Sequence, residues 1–113
     1  MRYMMLVCVD EAIELPAEEA ARIGPQAQAW VSDMEERGVR VHGQQLAGVE
    51  DATTIRVRGG EVVIADGPFA ETKEQIAGFD ILECADLDEA MEVAAKHPVA
   101  RCGSLELRPF AEG

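Results

Sequence analysis

Acid/base chemistry needs groups that exchange protons near neutral pH, and this chain contains only two histidines, His42 and His97. Other bases must come from carboxylates whose surroundings shift them. His42 lies in the alternating segment Val39 to Leu46, where Val39 and Val41 fall on one side and Arg40 and His42 on the other. His97 sits between a helical pattern and Pro98, so it is expected as exposed packing at a helix end, where a cation suits the helix dipole.

Asp66 opens the sequence Asp66-Gly67-Pro68-Phe69. Asp can bond its own backbone there, Gly releases φ and Pro fixes the exit, so the segment is a turn. The charged loop Ala70 to Gln75 follows. With His42 or Asp66 as general base, and Arg108 or Lys73 steadying a developing anion, a cofactor-independent reaction on a small organic substrate is conceivable. The candidate catalytic set is His42, Asp66 and Arg108, with Tyr3, Phe69, Glu71, Lys73, Asp80 and Glu106 as candidate ligand contacts. No cofactor is expected, because two histidines without clustered ligands make a weak haem or metal site. Cys8, Cys84 and Cys102 are odd in number, lack Cys-x-x-Cys spacing and lie in or beside apolar stretches, so they are expected as small core residues.

The elements that must position these groups follow from periodicity. Residues 2 to 9 are an almost unbroken apolar run, the pattern of a strand buried on both faces. Pro16 marks a helix start with Glu18 and Glu19 in its first turn, and Gly24-Pro25 is expected to interrupt it. Ile23, Ala27, Trp30, Val31 and Met34 then share one helical face, and Gly38 stops a helix of about three turns. Val39 to Leu46 reads as the second strand. Thr53 to Arg58 and Glu61 to Ala65 flank Gly59-Gly60, the composition of a tight β-hairpin. Ile76 to Cys84 forms a further strand, Asp86-x-x-Glu89 opens the last helix as a capping box, Pro98 ends it, and Ser104 to Arg108 is the final strand. The order, β-α-β, hairpin, β-α-β, predicts one α+β domain over residues 1–113, a ferredoxin-like sandwich with an inserted β-hairpin and both helices on one face of the sheet.

The other face then needs cover. Either Met4, Leu6 and Cys8 or Tyr3, Met5 and Val7 must point away from the helices, and a patch of that size invites a homodimer joined sheet to sheet. If Val39/Val41, Phe79/Ile81 and Leu105/Leu107 meet the helices, then His42, Asp80, Glu106 and Arg108 project together into a cleft under the partner, where a small-molecule ligand could sit. The alternative is a satisfied interface in which Arg108 pairs with Glu106 or Asp80.

Charge narrows the partners. Ten Lys+Arg against 22 Asp+Glu give a net charge of -12, which repels polyanions and argues against nucleic-acid binding. No apolar run approaches the roughly 20 residues that a membrane helix needs, and the N-terminus runs straight into a strand, so a soluble cytoplasmic protein is expected.

The stretch DGPFAETKEQIAGF resembles the signature of the YCII-related proteins that carry a DGPF motif. Met1-Arg2-Tyr3-Met4, Thr54-Ile55-Arg56-Val57, Asp86-Leu87-Asp88-Glu89-Ala90 and Gly103 to Pro109 are similar to the corresponding family segments. The resemblance implies a ferredoxin-like fold that dimerises into a dimeric α/β barrel. It also implies a proposed His-Asp catalytic pair in shorter relatives, for which His42 is the better candidate here, and an association with extracytoplasmic-function sigma factors. A cofactor-independent enzyme and a non-catalytic ligand- or partner-binding dimer both remain open.

Overall fold

The computed structural model describes residues 1–70 and 72–111. Its strands are β1 (Arg2–Val9), β2 (Arg40–Gln45), β3 (Thr53–Arg58), β4 (Glu61–Asp66), β5 (Gln75–Glu83) and β6 (Ser104–Pro109), with helices α1 (Ala17–Glu36) and α2 (Leu87–Ala95). Four strands form an antiparallel sheet in the order β2-β5-β1-β6, while β3 and β4 form a separate two-stranded sheet. The first sheet with its two helices is the α+β, ferredoxin-like arrangement.

β1 runs through the middle of the sheet and sets its two faces. Tyr3, Met5 and Val7 are buried with Trp30 and Met34 of α1, Leu82 of β5, and Ala90 and Val93 of α2. Met4, Leu6 and Cys8 point the other way and are only half-buried. The apolar run was expected to be covered on both sides; within one chain only the helix side is. Trp30 locks the two helices together, its indole N–H donating to the Val93 carbonyl at 2.9 Å. Asp86 caps α2 by accepting from the Glu89 amide at 2.9 Å, while Glu89 reaches back to the Ala85 amide rather than to Asp86 itself.

Gly24-Pro25 does not interrupt the first helix, which continues from Ala17 to Glu36. Proline removes one helical N–H and leaves the Ala21 carbonyl without its partner. Ala21, Gly24 and Pro25 are all exposed, so water can take that carbonyl and the helix persists. The molecule is a plate with extents of 48 × 44 × 18 Å. Its radius of gyration, 16.0 Å, exceeds the about 13 Å expected for a compact chain of this length because β3 and β4 stand away from the sheet.

Because Pro25 costs a hydrogen bond on an exposed helical turn, Pro25→Ala is expected to raise the unfolding free energy by about 1–3 kcal/mol in urea denaturation. An unchanged midpoint would show that the turn already compensates for the proline.

Candidate functional site

A β-bulge decides what enters the space under α1. Arg40 pairs with Leu82 and His42 pairs with Ile81, leaving Val41 as the extra residue. Strict alternation would have put Arg40 and His42 on one face. The bulge separates them, sending Arg40 toward the helices and His42 to the open face. Val39, just before it, stays buried and Val41 is exposed.

Asp80 lies opposite Met5 and Gly43, on the helix side, with 6% of its surface exposed. This corrects the expectation that Phe79 and Ile81 meet the helices while Asp80 faces outward. The register is the reverse, because Asp80 shares its face with Gly78 and Leu82 and finds its counter-charge there. Arg40 Nε donates to Asp80 Oδ1 at 2.7 Å, and Arg40 also lies 3.6 Å from Glu35 at the end of α1. Gly43 leaves room for the pair: a Cβ there would stand 2.3 Å from Asp80 Oδ1 and 2.6 Å from Arg40 Nη2. Burial pushes the Asp80 carboxyl above its ordinary value, outweighing the hydrogen bond and charge of Arg40.

The pair borders a cavity of about 650 Å³ between α1 and the sheet. Val7, Val9, Ile23, Ala27, Val31 and Val99 give it apolar walls, and Arg40, Asp80, Gln28 and His97 supply polar groups. Such a volume, apolar with a few polar contacts, suits a small organic ligand.

His97 is the second correction. It is 6% exposed rather than solvated, and it stacks edge-on against Trp30 at 4.9 Å. Its Nδ1 accepts the Val99 amide at 3.1 Å, capping the 3-10 turn Pro98–Arg101. Burial holds its pKa down at about 4, so the ring is neutral at pH 7 and carries its proton on Nε2. Among the described residues no sealed side-chain N or O lacks a partner and Nε2 makes no hydrogen bond, so this N–H is accessible on a ring that lines the cavity.

The other candidates are dispersed. His42 is exposed on the open face, edge-on to Phe79 at 5.8 Å. Glu106 and Arg108 sit on that face too, opposite Leu6 and Met4, and bond to each other. Asp66 ends β4, exposed, at the base of the two-stranded sheet. His42 on β2 and Arg108 on β6 lie on opposite edge strands of the four-stranded sheet and Asp66 on the separate ribbon, so the described chain does not gather them. Tyr3 is a core residue, 2% exposed, whose hydroxyl meets the Met1 sulfur at 3.7 Å. Phe69 is 75% exposed beside a shallow apolar groove of about 410 Å³, and Lys73 lies in an exposed loop. Glu71 lies outside the described residues.

The turn after Asp66 has a visible mechanical task. Gly67 takes φ +101, its amide donates to the Ala52 carbonyl at 2.8 Å, and its own carbonyl accepts from Thr54 Oγ1 at 2.8 Å. These bonds fasten the base of the two-stranded sheet, where β3 begins and β4 ends. The thiols are inert by comparison: Cys84 is buried, Cys8 and Cys102 are partly so, and burial pushes the Cys8 and Cys84 pKa values up. Among the described residues no cluster of three metal-ligating side chains occurs, and no helix is long and apolar enough to cross a membrane.

The YCII-related domain matches residues 1–112. The chain belongs to the YCII-related family. An uncharacterized protein of Rhizobium meliloti (strain 1021) is 37% identical over 115 residues, covering 98% of this chain and 93% of that protein. Among solved structures, 5-chloro-2-hydroxyhydroquinone dehydrochlorinase (TftG) from Burkholderia phenoliruptrix AC1100, in complex with 2,5-dihydroxybenzoquinone, is similar at a TM-score of 0.54 and 14% identity, covering 100% of this chain and 96% of that one. That similarity concerns the fold.

Two outcomes test the geometry of this YCII-related site. Arg40→Met leaves a buried carboxylate without its cation and is expected to destabilise the protein by about 3–5 kcal/mol, whereas Arg40→Met with Asp80→Leu should recover most of that loss in the same denaturation assay. For His97 the folded pKa, about 4, lies below the ordinary 6.5. The unfolded chain then binds the proton more readily in that window, so the imidazole's contribution is complete above pH 6.5 and is lost as pH falls to 4. His97→Asn should flatten this acid slope in thermal unfolding. The raised carboxyl of Asp80 acts in the opposite sense and is common to both proteins.

Proposed function

We propose that this YCII-related protein binds a small, planar, oxygenated organic compound in the cavity under α1 and performs cofactor-independent acid/base chemistry on it. The observation that carries this reading is the buried Arg40–Asp80 pair set into the wall of an otherwise largely apolar cavity. A carboxyl raised by burial is a better proton acceptor than an exposed one, and a guanidinium beside it can hold a developing oxyanion. Neutral His97 adds an Nε2–H donor for a second ligand oxygen, and the Trp30 edge holds that ring in place. In this scheme Asp80 takes a proton from the substrate, Arg40 stabilises the resulting enolate or phenolate oxygen, and the proton returns at a different atom or accompanies a leaving group. A dehydrochlorinase of the same fold, seen with a dihydroxybenzoquinone, is consistent with that class of compound.

The working unit in this proposal is a homodimer of the DGPF-motif subgroup, with the open sheet faces joined into a dimeric α/β barrel and an inserted β-hairpin formed by β3 and β4. Met4, Leu6, Phe79 and Ile81 form the centre of that face. His42, Glu106 and Arg108 then belong to the interface.

The test is a thermal-shift screen of hydroxylated aromatics, quinones and small carboxylic acids, followed by turnover assays on the hits. A ligand at 100 times its Kd should add about 2.7 kcal/mol of stability, roughly 10 °C in Tm for a domain of this size. Asp80→Asn should retain the shift and lower turnover by about 10²–10⁴-fold. A hit whose shift survives unchanged in Arg40→Met with Asp80→Leu would place the ligand elsewhere and end the proposal; binding without turnover would leave a non-catalytic binding protein.

A further inference from the structure

Arg40 and Asp80 meet through one hydrogen bond, from Nε to Oδ1, rather than through the two parallel bonds that a guanidinium and a carboxylate often form. Both partners therefore keep unused groups. Among the described residues Asp80 Oδ2 makes no hydrogen bond, and neither do the terminal nitrogens of Arg40, one of which lies 3.6 Å from Glu35. No sealed side-chain N or O of the described residues lacks a partner, so these atoms are accessible on two residues that line the cavity. Charge is scarce in the same space. Among the described residues lining it, Arg40 is the one cation and Asp80 the one anion, His97 is neutral at pH 7, and Gln28, Gln44 and Gln45 carry no charge. Glu35, half-exposed beside Arg40, adds a second carboxylate that water screens. An entering anion thus finds its guanidinium already matched and a like charge beside it.

We infer that the cavity takes its ligand uncharged, as a phenol or enol whose O–H donates to Asp80 Oδ2 and whose oxygen accepts from Arg40, and that it discriminates against carboxylates and other anions of the same size. This rests on the binding site proposed above and names the charge state of what enters it. Hydrogen-bonding roles carry the choice. An ionised carboxylate only accepts and a guanidinium only donates, so a hydroxyl, which does both, can satisfy the unused groups of each. A ligand carboxylate or phenolate has no proton to give and leaves Oδ2 unpaired against another anion. The proton step balances in the same way. As the O–H bond breaks, its electron pair stays on the ligand oxygen and the proton goes to Oδ2. Negative charge moves from Asp80 to the ligand, and Arg40 faces one anion in the cavity before and after. A ligand that arrives ionised sets two anions there against one guanidinium. Burial, which raises the Asp80 carboxyl, makes it a readier acceptor for that proton.

Isothermal titration calorimetry of the full-length protein at pH 7 tests this with three probes of similar size. para-Hydroxybenzamide is uncharged and carries the hydroxyl, para-methoxybenzamide is uncharged without that donor, and para-hydroxybenzoate is an anion. The first is expected to bind the wild type about 10-fold or more tightly than either of the others. Asp80→Asn removes the competing anion and should reverse the order, para-hydroxybenzoate then binding more tightly than para-hydroxybenzamide. Should circular dichroism show that variant to be misfolded, Glu35→Gln at the exposed neighbour takes its place and should bring the two Kd values closer together. Wild-type protein that binds para-hydroxybenzoate as tightly as para-hydroxybenzamide, with both lost in Arg40→Met with Asp80→Leu, overturns the charge discrimination and leaves the site standing. Equal binding of para-methoxybenzamide overturns the role of the O–H donor. Binding that survives unchanged in that double variant, or no binding of any probe at millimolar concentration, overturns the inference together with the proposed site.

Discussion

The site under α1 depends on one buried ion pair. Arg40 and Asp80 meet at 2.7 Å on the helix side of the sheet, where neither charge could stand alone. Holding them there requires three local departures from regular structure. The extra residue at Val41 turns Arg40 inward, Gly43 leaves the pair unobstructed, and the β1–β5 register sets Asp80 opposite Met5. A pair of this kind does little for net stability, because desolvation offsets much of the attraction between the charges. Its consequence is charge set into the wall of a cavity whose other walls are largely aliphatic.

The same constraint explains why the fold was more legible than the site. Apolar runs and turn residues are local signals, so β1, the Gly59-Gly60 turn with its positive φ values and the Asp86 cap follow almost directly from composition and spacing. Face assignments are not local. One unmatched residue at Val41 breaks the alternation between Arg40 and His42, and with it Arg40 moved from the expected open face to the cavity. Asp80 moved for a related reason: in the alternation of β5 an aspartate between Phe79 and Ile81 looks like the outward member. Only the presence of a guanidinium across the sheet makes inward placement tolerable. The one sequence hint was Gly43, a residue without a side chain at a position where a strand would normally have one.

His97 illustrates a different limit. A histidine before a proline at a helix end reads as a cation on a favourable dipole, and that argument treats the end of α2 as solvated. It is not, because the 3-10 turn Pro98–Arg101 folds back and buries Pro98 and Val99 with the imidazole. Once the ring is buried, desolvation outweighs the dipole and the neutral form prevails. The signal that separates the two cases is the apolar character of Pro98-Val99-Ala100, which continues the core rather than ending it.

The two faces of the sheet thus carry different kinds of polarity. On the helix side the charged and polar groups are few, enclosed and oriented by specific partners: Arg40 by Asp80, His97 by the Val99 amide and Trp30. On the open side His42, Glu106 and Arg108 are exposed, and the Glu106–Arg108 bond joins residues two apart on one edge strand. Exposed groups of that kind are screened by water and hold little orientation. Enclosure is what shifts the Asp80 carboxyl, which is why the proposed chemistry is assigned to the inner face and the proposed homodimer contact to the outer one. The turn at Asp66-Gly67-Pro68-Phe69 has a local task on the chain itself: through Gly67 it ties the end of β4 to the start of β3.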